Sequence, residues 1–198
     1  MSGGGSGGAI ERETARRIGL VVLDADGVLT DGGIYVADGT DGGEPFQLRR
    51  FHVRDGVGIH LLRAAGIESV IVSGRSSPAV RARAEELAIG EVRQVSPWDK
   101  VGVVGDLLAD RGLGWEEAAC LADDLPDLAV LERVGLPAAV ADAAPEVRER
   151  AAWCGELPGG RGAVREFAEA LLRGRGEWDE RVRAYLERAR RTDGSGAA

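Results

Sequence analysis

The chain is poor in cysteine, lysine and long apolar runs, and each shortage excludes a class of protein. Its two cysteines, Cys120 and Cys154, lack metal-ligand spacing, so we expect reduced thiols in a cytoplasmic protein rather than a zinc site or a disulfide scaffold. No apolar run is long enough to cross a membrane, and the first residues lack the apolar core of a signal peptide. The net charge of −8 argues against a nucleic-acid surface, which needs clustered and uncompensated basic side chains.

Lysine occurs only once among the 25 basic residues, at Lys100, and all the others are arginine. A single lysine is compatible with chance, but its position favours a function. It follows the strand-like segment 92–95 and lies at the start of a predicted helix. A compact ammonium group at such a place differs chemically from the planar guanidinium used elsewhere in the chain.

Predicted strands alternate with predicted helices, which is typical of an α/β protein with a doubly wound parallel sheet. With 198 residues, 44% of them hydrophobic, the chain can bury a sizeable core in one domain. We expect a disordered Gly-rich N-terminus over 1–15, a folded domain over 16–173 with a β-hairpin flap at about 33–51, and a C-terminal helix with a loose tail over 174–198. The predicted elements are strands at 20–23, 70–72, 91–95, 118–122 and 137–140, and helices at 55–65, 77–87, 99–109, 126–134 and 177–190.

Chemically reactive side chains follow four of these strands. The apolar run 18–23 leads into Asp24 and Asp26, and the pattern D-x-D-G by itself fits a site and a simple Asp-Gly turn about equally well. Ser73, Lys100 and Asp123 follow three further strands. Because ligands bind at the carboxyl ends of strands in open α/β sheets, we expect these groups to converge on one site.

This set of side chains is suited to the hydrolysis of a phosphate monoester, whose negative oxygens resist attack. Asp24 is the predicted nucleophile, and Asp26 is predicted to protonate the leaving oxygen and then to activate water. Ser73 and Lys100 are predicted to bind the oxygens of the phosphate. Mg²⁺ is the predicted cofactor, held by Asp24, Asp123 and the main-chain carbonyl of Asp26.

These residues resemble the four motifs of the haloacid dehalogenase superfamily, over about 18–172. The likeness is strongest to phosphatases of 3-deoxy-manno-octulosonate 8-phosphate and their N-acylneuraminate 9-phosphate relatives, and it rests on the segments 24–32, 51–59, 73–75 and 159–166. The resemblance implies a core without a cap domain. It also implies a small phosphorylated sugar acid as substrate and a homotetramer in which the flap covers a neighbouring site.

The resemblance also implies substrate contacts from Gly74, Arg75, Arg83 and Arg161. Arg75 favours the eight-carbon acid, because relatives that prefer nine-carbon acids often carry glutamate there. For Arg83 a solvated helix face, and for Arg161 a loop-stabilising role, remain alternatives. Asp124 and Asp127 are expected to support the metal site from outside its ligands.

Two other functions are compatible with this resemblance. One is a phosphatase for N-acylneuraminate or 2-keto-3-deoxynononate 9-phosphate. The other is a phosphatase-like module that has lost its chemistry and only assembles tetramers. The second is disfavoured because Asp24, Asp26, Ser73, Lys100 and Asp123 are all present.

Overall fold

The computed structural model describes residues 8–39 and 43–192, and its main feature is a six-stranded sheet in the order β5-β4-β1-β6-β7-β8. All neighbouring strands in this sheet are parallel. A separate antiparallel pair, β2 and β3, forms the flap. The strands are β1 (Leu20–Leu23), β2 (Tyr35–Ala37), β3 (Phe46–Leu48), β4 (Glu68–Ser73), β5 (Val92–Gln94), β6 (Ala118–Ala122), β7 (Leu136–Ala139) and β8 (Trp153–Cys154).

Helices connect the parallel strands and flank the sheet. One group consists of α1, α2, α7 and α8, which pack against one another, and a second group consists of α4, α5 and α6. This arrangement confirms the predicted doubly wound α/β fold. The helices are α1 (Arg12–Arg17), α2 (Val53–Ala64), α3 (Pro78–Glu86), α4 (Lys100–Ala109), α5 (Leu128–Leu131), α6 (Pro145–Arg150), α7 (Ala163–Arg175) and α8 (Trp178–Thr192).

Strand β1 lies between β4 and β6, where the strand order changes direction. All four of its residues are buried, as expected of a parallel strand covered on both faces. Leu23 pairs with Ile71 of β4 and with Leu121 of β6. Because the three strands are in register, the residues that follow them emerge at the same edge of the sheet. Such a switch point is where open α/β sheets bind ligands.

The flap projects from the loop after β1 and is poorly covered by its own chain. Four of its apolar side chains, Ile34, Val36, Phe46 and Leu48, are 48 to 64% exposed. An isolated bridge between Thr30 and Phe51 joins the two ends of the flap at its base. Residues 40–42 of the predicted turn lie outside the described residues.

The expected disorder of the N-terminus up to residue 15 is wrong for its last part. Helix α1 begins at Arg12 and packs against α7, and Ile10 and Ala15 are buried. Gly174 of α7 allows this approach, because a Cβ there would lie 2.9 Å from the side chain of Ala15. The predicted disorder of residues 1–7 and the predicted loose tail at 193–198 concern residues outside the described ranges.

Besides α1, three further elements have no counterpart in the sequence prediction. The short helix α6 and the two-residue strand β8 extend the sheet at the β7 edge, and α7 follows the glycine-rich segment 159–162. The predicted C-terminal helix is present as α8, and its Trp178 is buried under the guanidinium groups of Arg165 and Arg173. Within the described residues, no helix combines the length and apolarity that a membrane span requires.

Candidate active site

The residues that follow β1, β4, β5 and β6 surround a cavity of about 300 Å³ at the carboxyl edge of the sheet. It contains every side chain of the predicted catalytic and metal-binding set. The structure therefore brings together groups that are up to 99 residues apart along the chain. The lining residues that the sequence singled out are Asp24, Asp26, Ser73, Gly74, Arg75, Lys100, Asp123, Asp124 and Asp127.

Lys100 forms the buried centre of this site. Its Nζ lies 3.0 Å from Oδ1 of Asp24 and 2.8 and 2.9 Å from the two carboxylate oxygens of Asp127. Burial by itself lowers the pKa of Lys100, but the two carboxylates outweigh burial and raise it well above its ordinary value. Lys100 is therefore a permanent ammonium that holds two acidic side chains in fixed directions.

Three carboxylates form a cluster that can hold a metal ion. Oxygen atoms of Asp24, Asp123 and Asp127 lie within 4.8 Å of one another. Burial, followed by repulsion from Asp24, raises the pKa of Asp123 to about 8 and that of Asp127 to about 7. A divalent cation with oxygen ligands would offset this repulsion, so the donor set fits Mg²⁺. The carboxylate of Asp26 is not part of this cluster.

Glycine is needed beside this cluster for a steric reason. Gly27 has a φ of +88°, and a Cβ at this position would overlap the carboxylate of Asp123. Gly159 and Gly160 pack against the same loop, where a Cβ would overlap the backbone of Gly27 or Asp31. The segment 159–160 thus supports the loop that carries the two motif carboxylates, a role that sequence analysis did not assign.

Asp26 has a partner that sequence analysis missed. Its Oδ1 accepts a hydrogen bond from the guanidinium of Arg49, which comes directly after β3 of the flap. The side chain of Arg49 is only 4% exposed, although the neighbouring flap residues are open to solvent. The adjacent pair Arg49 and Arg50 was the only sequence signal, and a pair of basic residues is too common to indicate a site.

The second motif places Ser73 and Arg75 at the cavity. Ser73 is 1% exposed, and its Oγ accepts from the backbone N–H of Arg75 at 3.4 Å. Gly74 packs against the ring of Pro97, because a Cβ there would lie 3.2 Å from it. The side chain of Arg75 is exposed and lines the cavity, so it is accessible to a ligand that enters from solvent.

Two predicted substrate-binding arginines do not line this cavity. Arg83 instead pairs with Glu86 at 2.6 Å and donates to the carbonyl of His52, so helix α3 holds it away from the site of its own chain. Arg161 is exposed in the loop before α7. Within one chain, neither side chain reaches the phosphate end of the site.

Asp124 and Asp127 differ from each other more than the sequence suggested. Asp124 is exposed, and its Oδ1 accepts from the backbone N–H of Leu125 at 2.8 Å, so it caps the short turn 125–127. Asp127 is 3% exposed and contacts Lys100 directly. The acidic segment after β6 therefore places one carboxylate inside the site and one at its rim.

Comparison with known proteins places this geometry in a family. No family model matches the chain. However, the 3-deoxy-D-manno-octulosonate 8-phosphate phosphatase KdsC of Escherichia coli K12 is 42% identical over 166 residues, which cover 84% of this chain and 85% of the relative. The chain belongs to this family of phosphatases.

Solved structures agree with this assignment. A phosphatase of the same name from Moraxella catarrhalis, in complex with magnesium ion, phosphate ion and KDO, is 32% identical with a TM-score of 0.81, covering 88% of this chain and 97% of that one. A haloacid dehalogenase superfamily hydrolase (subfamily III A) from Legionella pneumophila is 38% identical with a TM-score of 0.81, covering 89% and 93%. The predicted superfamily is confirmed, and Mg²⁺ as cofactor is supported by both the donor set and the relative.

Proposed function

We propose that this chain is a Mg²⁺-dependent phosphatase that hydrolyses 3-deoxy-D-manno-octulosonate 8-phosphate to the free sugar acid and inorganic phosphate. The observation that carries the proposal is the buried contact between Lys100 and Asp24 in a cavity that also contains Asp26 and Asp123. Identity of 42% to a phosphatase named for this substrate supports the choice of substrate. The alternatives, a nine-carbon substrate and a module without activity, have no comparable support.

In this mechanism Asp24 attacks phosphorus and forms an aspartyl phosphate. A carboxylate is a nucleophile only when it is ionised, and burial raises the pKa of Asp24. Lys100 opposes this effect, because its ammonium lies 3.0 Å from Oδ1 of Asp24. It also fixes the orientation of the carboxylate and neutralises charge on the phosphate.

Asp26 protonates the departing sugar oxygen and later removes a proton from the water that attacks the aspartyl phosphate. It lines the same cavity as the nucleophile Asp24, so both carboxylates are accessible to a phosphate ester bound there. The Oγ of Ser73 donates to the phosphate oxygens. The guanidinium of Arg75 pairs with the carboxylate of the sugar acid in bidentate geometry.

Asp24, Asp123 and the carbonyl oxygen of Asp26 would hold Mg²⁺. When bound, the cation neutralises the negative oxygens of the phosphate and the repulsion between the carboxylates. We assign Asp127 to the support of Lys100, because both of its carboxylate oxygens accept from that ammonium. Asp124 stays at the rim as the cap of the turn.

We also propose that the enzyme acts in the cytoplasm as a homotetramer. Isolated two-stranded hairpins are marginal in water, and this flap exposes apolar side chains on both of its faces. Contact with other subunits would bury them and bring a neighbouring flap over the site. In such an assembly Arg83 and Arg161 would serve a site other than that of their own chain. The two free buried cysteines fit a reducing compartment.

The test is phosphate release by the purified protein, with Mg²⁺ or with a chelator. The substrates are 3-deoxy-D-manno-octulosonate 8-phosphate, N-acetylneuraminate 9-phosphate, 2-keto-3-deoxynononate 9-phosphate and hexose phosphates. We expect metal-dependent turnover with a clear preference for the eight-carbon acid, and none with Asp24→Asn as the matched control. Preference for a nine-carbon acid would overturn the substrate, and no metal-dependent release from any ester would overturn the enzyme.

A further inference from the structure

Arg49 is a flap residue whose side chain contacts Asp26, a residue that lines the catalytic cavity. It follows the exposed strand β3, yet its side chain is 4% exposed, against 54% exposure for the adjacent Leu48. Among residues 8–39 and 43–192, Asp26 is the only hydrogen-bond partner of its guanidinium. The position of this flap residue therefore depends on one carboxylate of the active site.

A guanidinium group has five N–H donors in a planar fork, and one carboxylate oxygen occupies only part of it. Asp26 lines a cavity that also contains Ser73 and Lys100, the groups proposed to hold phosphate oxygens. Phosphate, like carboxylate, suits an arginine fork, because two parallel N–H donors match two of its oxygens. Arg49 thus has unused donors beside a cavity built for an anion.

The contact with Arg49 also restricts the proposed chemistry of Asp26. While its Oδ1 accepts from the guanidinium, only the other carboxylate oxygen can carry a proton to the leaving sugar oxygen, and the contact fixes the direction of that oxygen. Exchange of this partner during turnover would free Asp26 to turn toward the leaving group, and the guanidinium would then need another acceptor, because an unpaired buried charge is costly. The phosphoryl group of the substrate is the anion that enters the same cavity.

We propose that Arg49 is a phosphate-binding residue that exchanges Asp26 for the phosphoryl group of the substrate. This inference rests on the proposed function for the role of Asp26. The exchange links the flap to the reaction, because the same side chain that frees Asp26 would join the end of β3 to the bound phosphate. No bond is made or broken in this step, and Arg49 keeps its proton throughout.

The first test measures the binding of inorganic phosphate to the intact Mg²⁺-loaded protein by calorimetry. Hydrogen bonds to charged groups predict that Arg49→Met weakens phosphate binding by about 10- to 100-fold. Arg49→Lys, which keeps the charge but not the fork, is expected to bind with intermediate affinity. Arg50→Met is the matched control, because Arg50 is the next flap residue and faces Asp31 at 3.7 Å. We expect its affinity to stay within about twofold of the original.

The second test uses a double-mutant cycle. If Asp26 and phosphate compete for the same guanidinium, Asp26→Asn tightens phosphate binding several-fold. The gain should disappear when Arg49 is methionine, because there is then no guanidinium to release. A gain of equal size in both backgrounds would show only the removal of a negative charge, and would contradict the exchange.

Steady-state kinetics separate this role from a structural one. Arg49→Met is expected to raise KM for the preferred ester more than it lowers kcat, with far-ultraviolet circular dichroism unchanged. Unaltered phosphate affinity in Arg49→Met, or an equal loss in Arg50→Met, would overturn the proposal. If Arg49→Met does not fold, the proposal is tested with Arg49→Lys and Arg49→Gln, because both should weaken phosphate binding. Phosphate binding needs no turnover, so a failed substrate panel and a failed Arg49 test are distinguishable.

Discussion

The carboxyl edge of the sheet and the flap differ in how their side chains are buried and paired. At the edge, Lys100, Asp24 and Asp127 are each at most 7% exposed, and their charges are satisfied within one chain. In the flap, apolar side chains such as Val36 and Phe46 remain open to solvent. Within one chain the edge already brings the reactive groups together, whereas the flap leaves apolar side chains uncovered. We therefore assign the chemistry to the single chain and coverage of the substrate to the proposed homotetramer.

The largest effect is expected at the edge, from Asp24→Asn. An amide cannot attack phosphorus, so we expect turnover to fall on the order of 10⁴-fold or more, while the fold and the assembly persist. Single-turnover phosphate release measures the loss of turnover, and light scattering checks that the proposed assembly persists. Substantial turnover by this variant would remove the nucleophile from the mechanism.

The second prediction concerns Lys100→Met, which removes the charge that pairs two buried carboxylates. We expect loss of turnover and destabilisation of about 3 to 5 kcal/mol near pH 8 with a chelator present. The pKa of Asp127 is about 7 in the folded protein and 3.8 as a free side chain. Removal of Lys100 takes away an interaction that lowers this pKa, so the folded variant binds a proton at higher pH than the original protein does. The stability difference between the two should therefore shrink as the pH falls from 8 through 7. Denaturant unfolding at pH 5 and pH 8 tests this sign, and a deficit that grows toward pH 5 would contradict it.

On the flap side of the comparison, Leu48→Asp is expected to break the proposed homotetramer without unfolding the core. A charge on this apolar strand opposes burial against another subunit but contacts little of its own chain. Leu186→Asp on α8 is the matched control, since Leu186 is 48% exposed and Leu48 is 54% exposed. Light scattering should show a lower mass only for Leu48→Asp. A mass unchanged by this substitution would remove Leu48 from the interface.

The smallest effect is expected from Asp55→Asn in helix α2. Burial raises the pKa of Asp55 to about 6, while its Oδ1 accepts from the backbone N–H of Arg165. The folded pKa lies above the unfolded value, so the original protein loses stability as the pH rises from about 4 to 6. Asparagine keeps an oxygen that accepts from the backbone N–H of Arg165, but it has no proton to lose, so its stability should not fall over this pH range. We expect the variant to gain about 1 kcal/mol at pH 8 and nothing at pH 4.

Chemical denaturation at the two pH values measures the effect of Asp55→Asn. Asp106→Asn on the exposed face of α4 is the control, and it should change stability equally little at both values. A stability loss for Asp55→Asn at pH 8 would show that the charge itself stabilises the start of α7.

Local patterns predicted the central elements well. Strand β6 has the bounds expected from its apolar run, and the cap and proline at Ser77 and Pro78 begin helix α3 where expected. Elements at the margin of the sheet were missed, because β8 has two residues and α6 has six, too few for a periodic pattern. Helix α1 was missed because its burial depends on the room that Gly174 leaves.

The sequence by itself determined which groups meet at the cavity. Asp24 and Asp123 follow parallel strands and Ser73 ends the strand beside β1, and strands in register bring their carboxyl ends to one edge. Only the tertiary structure decided how these groups are paired. The contacts of Lys100 with Asp127, and of Arg49 with Asp26, join segments that no local pattern connects. Backbone periodicity is encoded over a few residues, whereas a side-chain partner is chosen by packing in three dimensions.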